Sequence, residues 1–134
     1  MSASPSLEDF LLRTHHTFRY ADTGGLGHVD SAVLPSLLET GRIELLEHRP
    51  WRCETVAFVI SRLEMDYITA ALWPGTVEIG TSVNELGRSS IVLSQAVFQA
   101  HRFIATAQIV MLYVDHGTYQ PTSLPETARA ELMP

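Results

Sequence analysis

The chain has 134 residues, 46% of them hydrophobic, which suits one domain with a real core. A formal charge of −6 and the absence of any Lys/Arg run argue against nucleic acid as a partner, although a few arginines can still form a local anion site. No run of about eighteen apolar residues occurs, and the polar start Met1-Ser2-Ala3-Ser4-Pro5-Ser6 lacks a charged-then-apolar pattern, so no membrane contact and a cytoplasmic location are expected.

In chain order, Thr14 to Asp22 contains the β-prone run Thr17-Phe18-Arg19-Tyr20 and predicts a first strand that stops at Asp22-Thr23-Gly24-Gly25. The stretch from Gly27 to His48 predicts one long helix, from about Ser31 to near His48, with Asp30 and Ser31 as caps and Pro35 in the first turn. Val33, Leu34, Leu37, Leu38, Gly41 and Leu45 share one broad face, the core stripe. Glu39, Ile43 and Leu46 share another, which places a carboxylate in a partly apolar stripe and calls for a second covering surface, expected from another copy of the chain.

Cys53 is the single cysteine, cannot form an internal disulfide, and is expected to be a buried or inert thiol. From Cys53 to Ile68 a second strand alternates Leu63, Met65 and Tyr67 with Arg62, Glu64 and Asp66, one face buried and one polar. Trp73-Pro74-Gly75 is a turn. Val77, Ile79, Thr81 and Val83 then mark a third strand, Ser90 to Gln99 a fourth, and Phe103 to Asp115 a fifth so apolar that both faces should be covered. From Gly117 on, prolines leave a loosely attached tail. The order of strand, long helix and four antiparallel strands implies an α+β domain, one curved sheet around one helix.

Four stretches in this order, Phe18-Arg19-Tyr20-Ala21-Asp22, Gly27-His28-Val29-Asp30, Glu39-Thr40-Gly41-Arg42-Ile43-Glu44 and Leu86-Gly87-Arg88-Ser89-Ser90, resemble the hotdog-fold acyl-CoA thioesterases of the hydroxybenzoyl-CoA thioesterase type. The resemblance runs from about Thr14 to Asp115. It implies a five-stranded antiparallel sheet wrapped around a central helix in a single domain over residues 1–134, with flexible ends at about 1–10 and 117–134. It also implies a homodimer, or a homotetramer, with active sites between subunits. Many members carry a catalytic aspartate two positions after the residue matching Asp22, where this chain has Gly24. Other branches use a carboxylate on the central helix, and Glu39 occupies such a position.

Thioester hydrolysis needs a carboxylate to attack the carbonyl or activate water, and donors for the developing oxyanion. Glu39 supplies the first, and the helix start near Asp30 and Ser31, with His28 in the loop, supplies the second. Arg88, Ser89 and Ser90 at a tight turn suit the phosphates of coenzyme A, as the family pattern also implies. Coenzyme A is then part of an acyl-CoA substrate, and neither a cofactor nor a metal is expected. Against these stand plainer roles: a Glu39–Arg42 pair on a solvated face, loop shaping by His28, turn and cap roles for Asp22 and Asp30, and an ordinary hairpin at Arg88. His15-His16 and His101-Arg102 read as surface residues. Met65, Tyr67, Trp73 and Phe98 are candidates for an acyl tunnel, with core packing as the alternative. The leading expectation is an acyl-CoA thioesterase acting on a fatty or aromatic acyl group. The rival is a non-catalytic acyl-CoA-binding or sensing domain, and a hydratase ranks last because the helix lacks an Asp-plus-His pattern.

Overall fold

In the computed structural model, which describes residues 5–25, 27–46, 49, 51 and 53–133, the helix α1 spans Val33–Leu46. It begins two residues later than expected because Asp30 holds the entry as a turn. Its carboxylate accepts the Ala32 N–H at 3.1 Å and its carbonyl the Val33 N–H at 3.0 Å. Pro35 falls in the first turn, where a missing N–H costs nothing. The expected end near His48 lies outside the described residues.

Five strands follow the antiparallel order β1-β3-β4-β5-β2, with β1 at Leu12–Thr17, β2 at Val56–Tyr67, β3 at Thr76–Leu86, β4 at Ser90–Gln99 and β5 at Arg102–Asp115. The chain therefore leaves one edge strand, runs through α1, and returns at the opposite edge. Strand β1 ends at Thr17, short of the expected Asp22, because the Asp22 carboxylate takes the Arg19 N–H at 2.8 Å and closes a 3₁₀ turn over Tyr20–Thr23.

Leu34, Leu37, Leu38 and Leu45 of α1 pack with Ile79, Leu93, Ile104 and Ile109 of the sheet in one buried cluster. Leu46, assigned by its spacing to the outer stripe, is only 1% exposed and joins this core, whereas Glu39 and Ile43 stay outside. Helix and sheet come close at Gly41: a Cβ there would stand 2.9 Å from Thr81 Oγ1 and 3.0 Å from Gln95 Nε2. That approach lets Gln95, fully buried in β4, donate to both Leu38 O and Thr81 Oγ1 at 2.9 Å.

Two strands differ from expectation. On β5 one face is buried through Ile109, Met111 and Tyr113, while the other leaves Gln108 exposed and Thr106, Val110 and Leu112 half-buried. On β2 the apolar face is not covered: Ile60, Leu63, Tyr67 and Ile68 are 46, 43, 49 and 54% exposed, because this strand pairs only with β5 and its other edge is free.

The C-terminal segment, expected as a loose tail from Gly117, folds back instead. Thr122 N donates to Tyr113 O and Leu124 N to Arg88 O, both at 2.8 Å, and a second helix, α2, spans Glu126–Leu132. Leu124, Ala128 and Leu132 are buried in the same cluster as Trp51 and Tyr113. The proline spacing that breaks a strand ladder here delivers an apolar helix face to the open end of the core. At the other terminus Phe10 packs edge-on to Phe98 and fills the space over Gly80.

Candidate active site

The loop before α1 is built around Asp22. Its carboxylate accepts from the Arg19 N–H, from the Arg19 guanidinium at 3.1 Å, and faces His16 Nε2 at 3.4 Å. The Arg19 N–H is the main cause that holds this carboxyl below its ordinary range, with burial opposing. The Asp22 carbonyl also accepts the Asp30 N–H at 2.8 Å. Asp22 is thus a turn residue, as the plainer reading has it, and His16 is its neighbour rather than a simple surface residue.

Held this way, the loop forms one wall of a cleft of about 500 Å³ lined by Gly24, His28, Asp30, Ser31, Leu34 and Tyr67 among others. The Tyr67 phenol donates to Ser31 O at 2.9 Å and ties the end of β2 to the start of the helix. One oxygen of the Asp30 carboxylate accepts the Ala32 N–H, and His28, Ser31 and Thr69 are further polar residues of this lining. Gly24 has φ 63°, and a Cβ there would meet nothing within 4 Å. The cleft therefore has room where many family members carry the aspartate.

Glu39 does not join these residues. It lines a second cleft of about 410 Å³ with Arg42, Ile43, Leu46, Phe58 and Met111, also bordered by Val59 and Ile60. The two linings share no residue, and they sit at opposite ends of β2, one at Phe58–Ile60 and the other at Tyr67. Neither cleft brings Glu39 together with the loop residues: the loop cleft holds His28, Asp30 and Ser31, and the helix cleft holds Glu39 beside an apolar wall.

Arg42, which the plainer reading pairs with Glu39 on a solvated face, lies elsewhere. It is 4% exposed, not on a solvated face, and makes no ion pair with Glu39 within 4.0 Å among the described residues. Its Nη1 donates to Gln95 Oε1 at 3.1 Å. Burial pushes its pKa down, and the Glu39 charge opposes that shift. The signal was available: Arg42 follows Leu38 by four and precedes Leu45 by three, inside the core stripe.

Arg88, Ser89 and Ser90 line neither cleft. They form the β3–β4 turn, pinned by Arg129 Nη2 on Gly87 O at 2.7 Å and by Tyr113 N on Ser89 O at 2.7 Å, with the Arg88 side chain exposed. Of the tunnel candidates Tyr67 lines the loop cleft; Met65 packs against the core, Phe98 stacks on Phe103 and borders a separate cleft with Arg13 and Glu78, and Trp73 contacts Tyr20. Cys53 is exposed rather than buried, with Thr55 Oγ1 at 3.1 Å from its sulfur lowering the thiol pKa. Among the described residues no group of three or more His, Cys, Asp or Glu is placed to hold a metal ion, and no helix is long and apolar enough to cross a membrane.

A five-stranded antiparallel sheet around one long helix that links its two edge strands is the hotdog fold. The chain belongs to the thioesterase superfamily, whose family model matches residues 26–102. It is 28% identical over 118 residues to the acyl-CoA thioester hydrolase YbgC of Escherichia coli O6:H1, covering 84% of this chain and 88% of that one. It also resembles a Thermus thermophilus thioesterase solved in complex with coenzyme A and Zn, with 29% identity, TM-score 0.81 and 93% of each chain covered. The PA5185 protein of Pseudomonas aeruginosa shares the fold at 23% identity and TM-score 0.83, over 94% of this chain and 92% of that one.

Proposed function

We propose that this thioesterase hydrolyses acyl-CoA, and that its active site is completed when two copies pair along the free edge of β2. The observation that carries this reading is the pair of clefts at opposite ends of one edge strand with exposed apolar side chains. Two copies related by a two-fold axis pair identical edge strands antiparallel, so the Phe58–Ile60 end of one β2 lies beside the Tyr67 end of the other. The Glu39 cleft of one protomer then adjoins the loop cleft of its partner. Ser31 in the turn before α1 and Glu39 within it line different clefts, which fits a shared site of this kind.

In the composite site Glu39 takes a proton from water, or attacks the thioester carbonyl itself, and the Ser31 N–H with the His28 imidazole stabilises the oxyanion. In the water route the tetrahedral intermediate collapses with loss of the CoA thiolate, which receives the proton from Glu39. Water, a carboxylate and donors suffice, so no cofactor or metal enters. The exposed Arg88 guanidinium at the β3–β4 turn is the proposed contact for CoA phosphate, reached over the surface outside the clefts. A cytoplasmic site of action and a dimer or tetramer belong to the same proposal. Support for the substrate class comes from the acyl-CoA named for the Escherichia coli relative and the coenzyme A named for the Thermus thermophilus structure.

A thiol-release assay over short, medium and aromatic acyl-CoAs tests the reading, and turnover on at least one class is expected. The second reading, a domain that binds acyl-CoA without cleaving it, is favoured by Gly24 standing where the loop aspartate would be. Tight binding with no turnover on any ester would replace the first reading with the second.

A further inference from the structure

We infer that Arg42 forms a donor subsite at the floor of the Glu39 cleft, and that the acyl groups taken there carry an accepting oxygen, keto or hydroxyl, on the third carbon. This deepens the proposed acyl-CoA reading and rests on it for the orientation of the ligand. The guanidinium is more than nine-tenths buried, lines the cleft, and has one described acceptor, Gln95 Oε1 at 3.1 Å. A guanidinium carries five N–H donors in a fixed fork, and leaving a buried cation without an acceptor is costly. None of its side-chain nitrogens is sealed away without a partner, so the donors that Gln95 does not take open into the cleft.

Among the described residues the cleft offers Arg42 no further acceptor. Ile43, Leu46, Phe58, Val59, Ile60 and Met111 make the rest of the lining apolar apart from Glu39, which forms no ion pair with Arg42 within 4.0 Å. The β2 strand of a second copy paired along this edge supplies no anion either. Met65 packs against the core, so the alternation of the strand puts Glu64 and Asp66 on the opposite face. The acceptor is then left to the ligand. Glu39 and Arg42 are three residues apart on one helix, about 4.5 Å along its axis. With the thioester carbonyl at Glu39, an oxygen two carbons further on comes within reach of the guanidinium, whereas a plain alkyl chain leaves it unpaired.

The test uses two non-hydrolysable thioethers of coenzyme A, S-butyl-CoA and S-(3-oxobutyl)-CoA, titrated calorimetrically against the full-length wild-type protein and against Arg42→Met and Arg42→Lys. The wild type should bind the oxo compound about tenfold or more tightly than the butyl compound, as expected for a hydrogen bond to a charged group. The preference should vanish in Arg42→Met and shrink in Arg42→Lys, whose point charge lacks the fork. Equal wild-type affinities overturn the subsite, and that comparison stands even if neither variant folds. A preference kept in a folded Arg42→Met overturns it equally. Turnover of acetoacetyl-CoA and butyryl-CoA is measured alongside: no turnover of either, with the thioether preference intact, counts against the hydrolase and leaves the subsite standing.

Discussion

The two clefts along β2 are made by opposite means. The loop cleft is walled by hydrogen-bonded backbone: Asp22 fixes the 3₁₀ turn, Asp30 fixes the helix start, and the Tyr67 phenol ties strand to loop. The helix cleft is walled by side chains, with Glu39 and Ile43 exposed over a floor formed by Arg42 and Leu46. Donors need to be held in place before charge develops, which favours a backbone-built wall. A carboxylate base needs a dry surrounding to be effective, and a wall of Phe58, Val59 and Ile60 supplies that only when a second surface closes it. The difference explains why neither cleft alone looks like an active site, and why the exposed apolar face of β2 lies between them.

The largest effect that breaks this comparison is expected at Glu39. Glu39→Gln keeps shape and hydrogen bonding but removes the base, so kcat should fall about a hundredfold or more with an unchanged circular dichroism spectrum. Near-native turnover would return Glu39 to a surface role. Next comes the strand edge. Leu63 is 43% exposed, so Leu63→Asp should leave the protomer folded while placing like charges across a two-fold β2 contact. Light scattering should then report 14.9 kDa in place of at least twice that mass, with activity reduced tenfold or more.

A smaller effect sharpens the role of the layer under the helix. Gly41→Ala brings a methyl against Thr81 Oγ1 and Gln95 Nε2, and should cost on the order of 1–3 kcal/mol in urea unfolding, with the Glu39 turn of α1 displaced. The smallest effect is on the loop wall. Because the Asp22 carboxyl is held below its ordinary range, its stabilisation is complete above about pH 4 and is lost as the pH falls through the lowered value. Asp22→Asn should therefore cost about 1 kcal/mol at neutral pH, and its stability should decline less than that of the wild type in the acid region.

Much of this arrangement was legible in residue spacing. Apolar periodicity set the helix and strands within a few residues, and Ser90–Gln99 matched its expected bounds. What spacing could not reveal were hydrogen bonds that compete with regular structure. Asp22 ends β1 early by drawing the Arg19 N–H to itself, and Asp30 delays α1 by two residues in the same way. Prolines at 121 and 125 mark breaks in strand pairing but not where the segment goes next, so the burial of Ala128 and Leu132 in α2 was invisible. At the site, Glu39 and the His28, Asp30 and Ser31 group are singled out by chemistry and resemblance, and their roles belong to the proposal. Their separation into two clefts required the third dimension. The plainer reading, a Glu39–Arg42 pair on a solvated face, fails because the close approach at Gly41 lets Gln95 receive the buried guanidinium.

The central claim, that each active site takes Glu39 from one protomer and the loop cleft from its partner, is tested most directly by mixing two inactive proteins. One is Glu39→Gln; the other is Ala70→Trp, which fills the loop cleft at an exposed lining position without touching the Glu39 cleft. After subunit exchange at equal amounts, half of the dimers are mixed, and each of these holds one intact site and one doubly damaged site. Composite sites therefore predict recovery of about a quarter of wild-type turnover. Activity no greater than that of the two variants assayed separately, with exchange confirmed by mass, would contradict the account and place each site within a single chain.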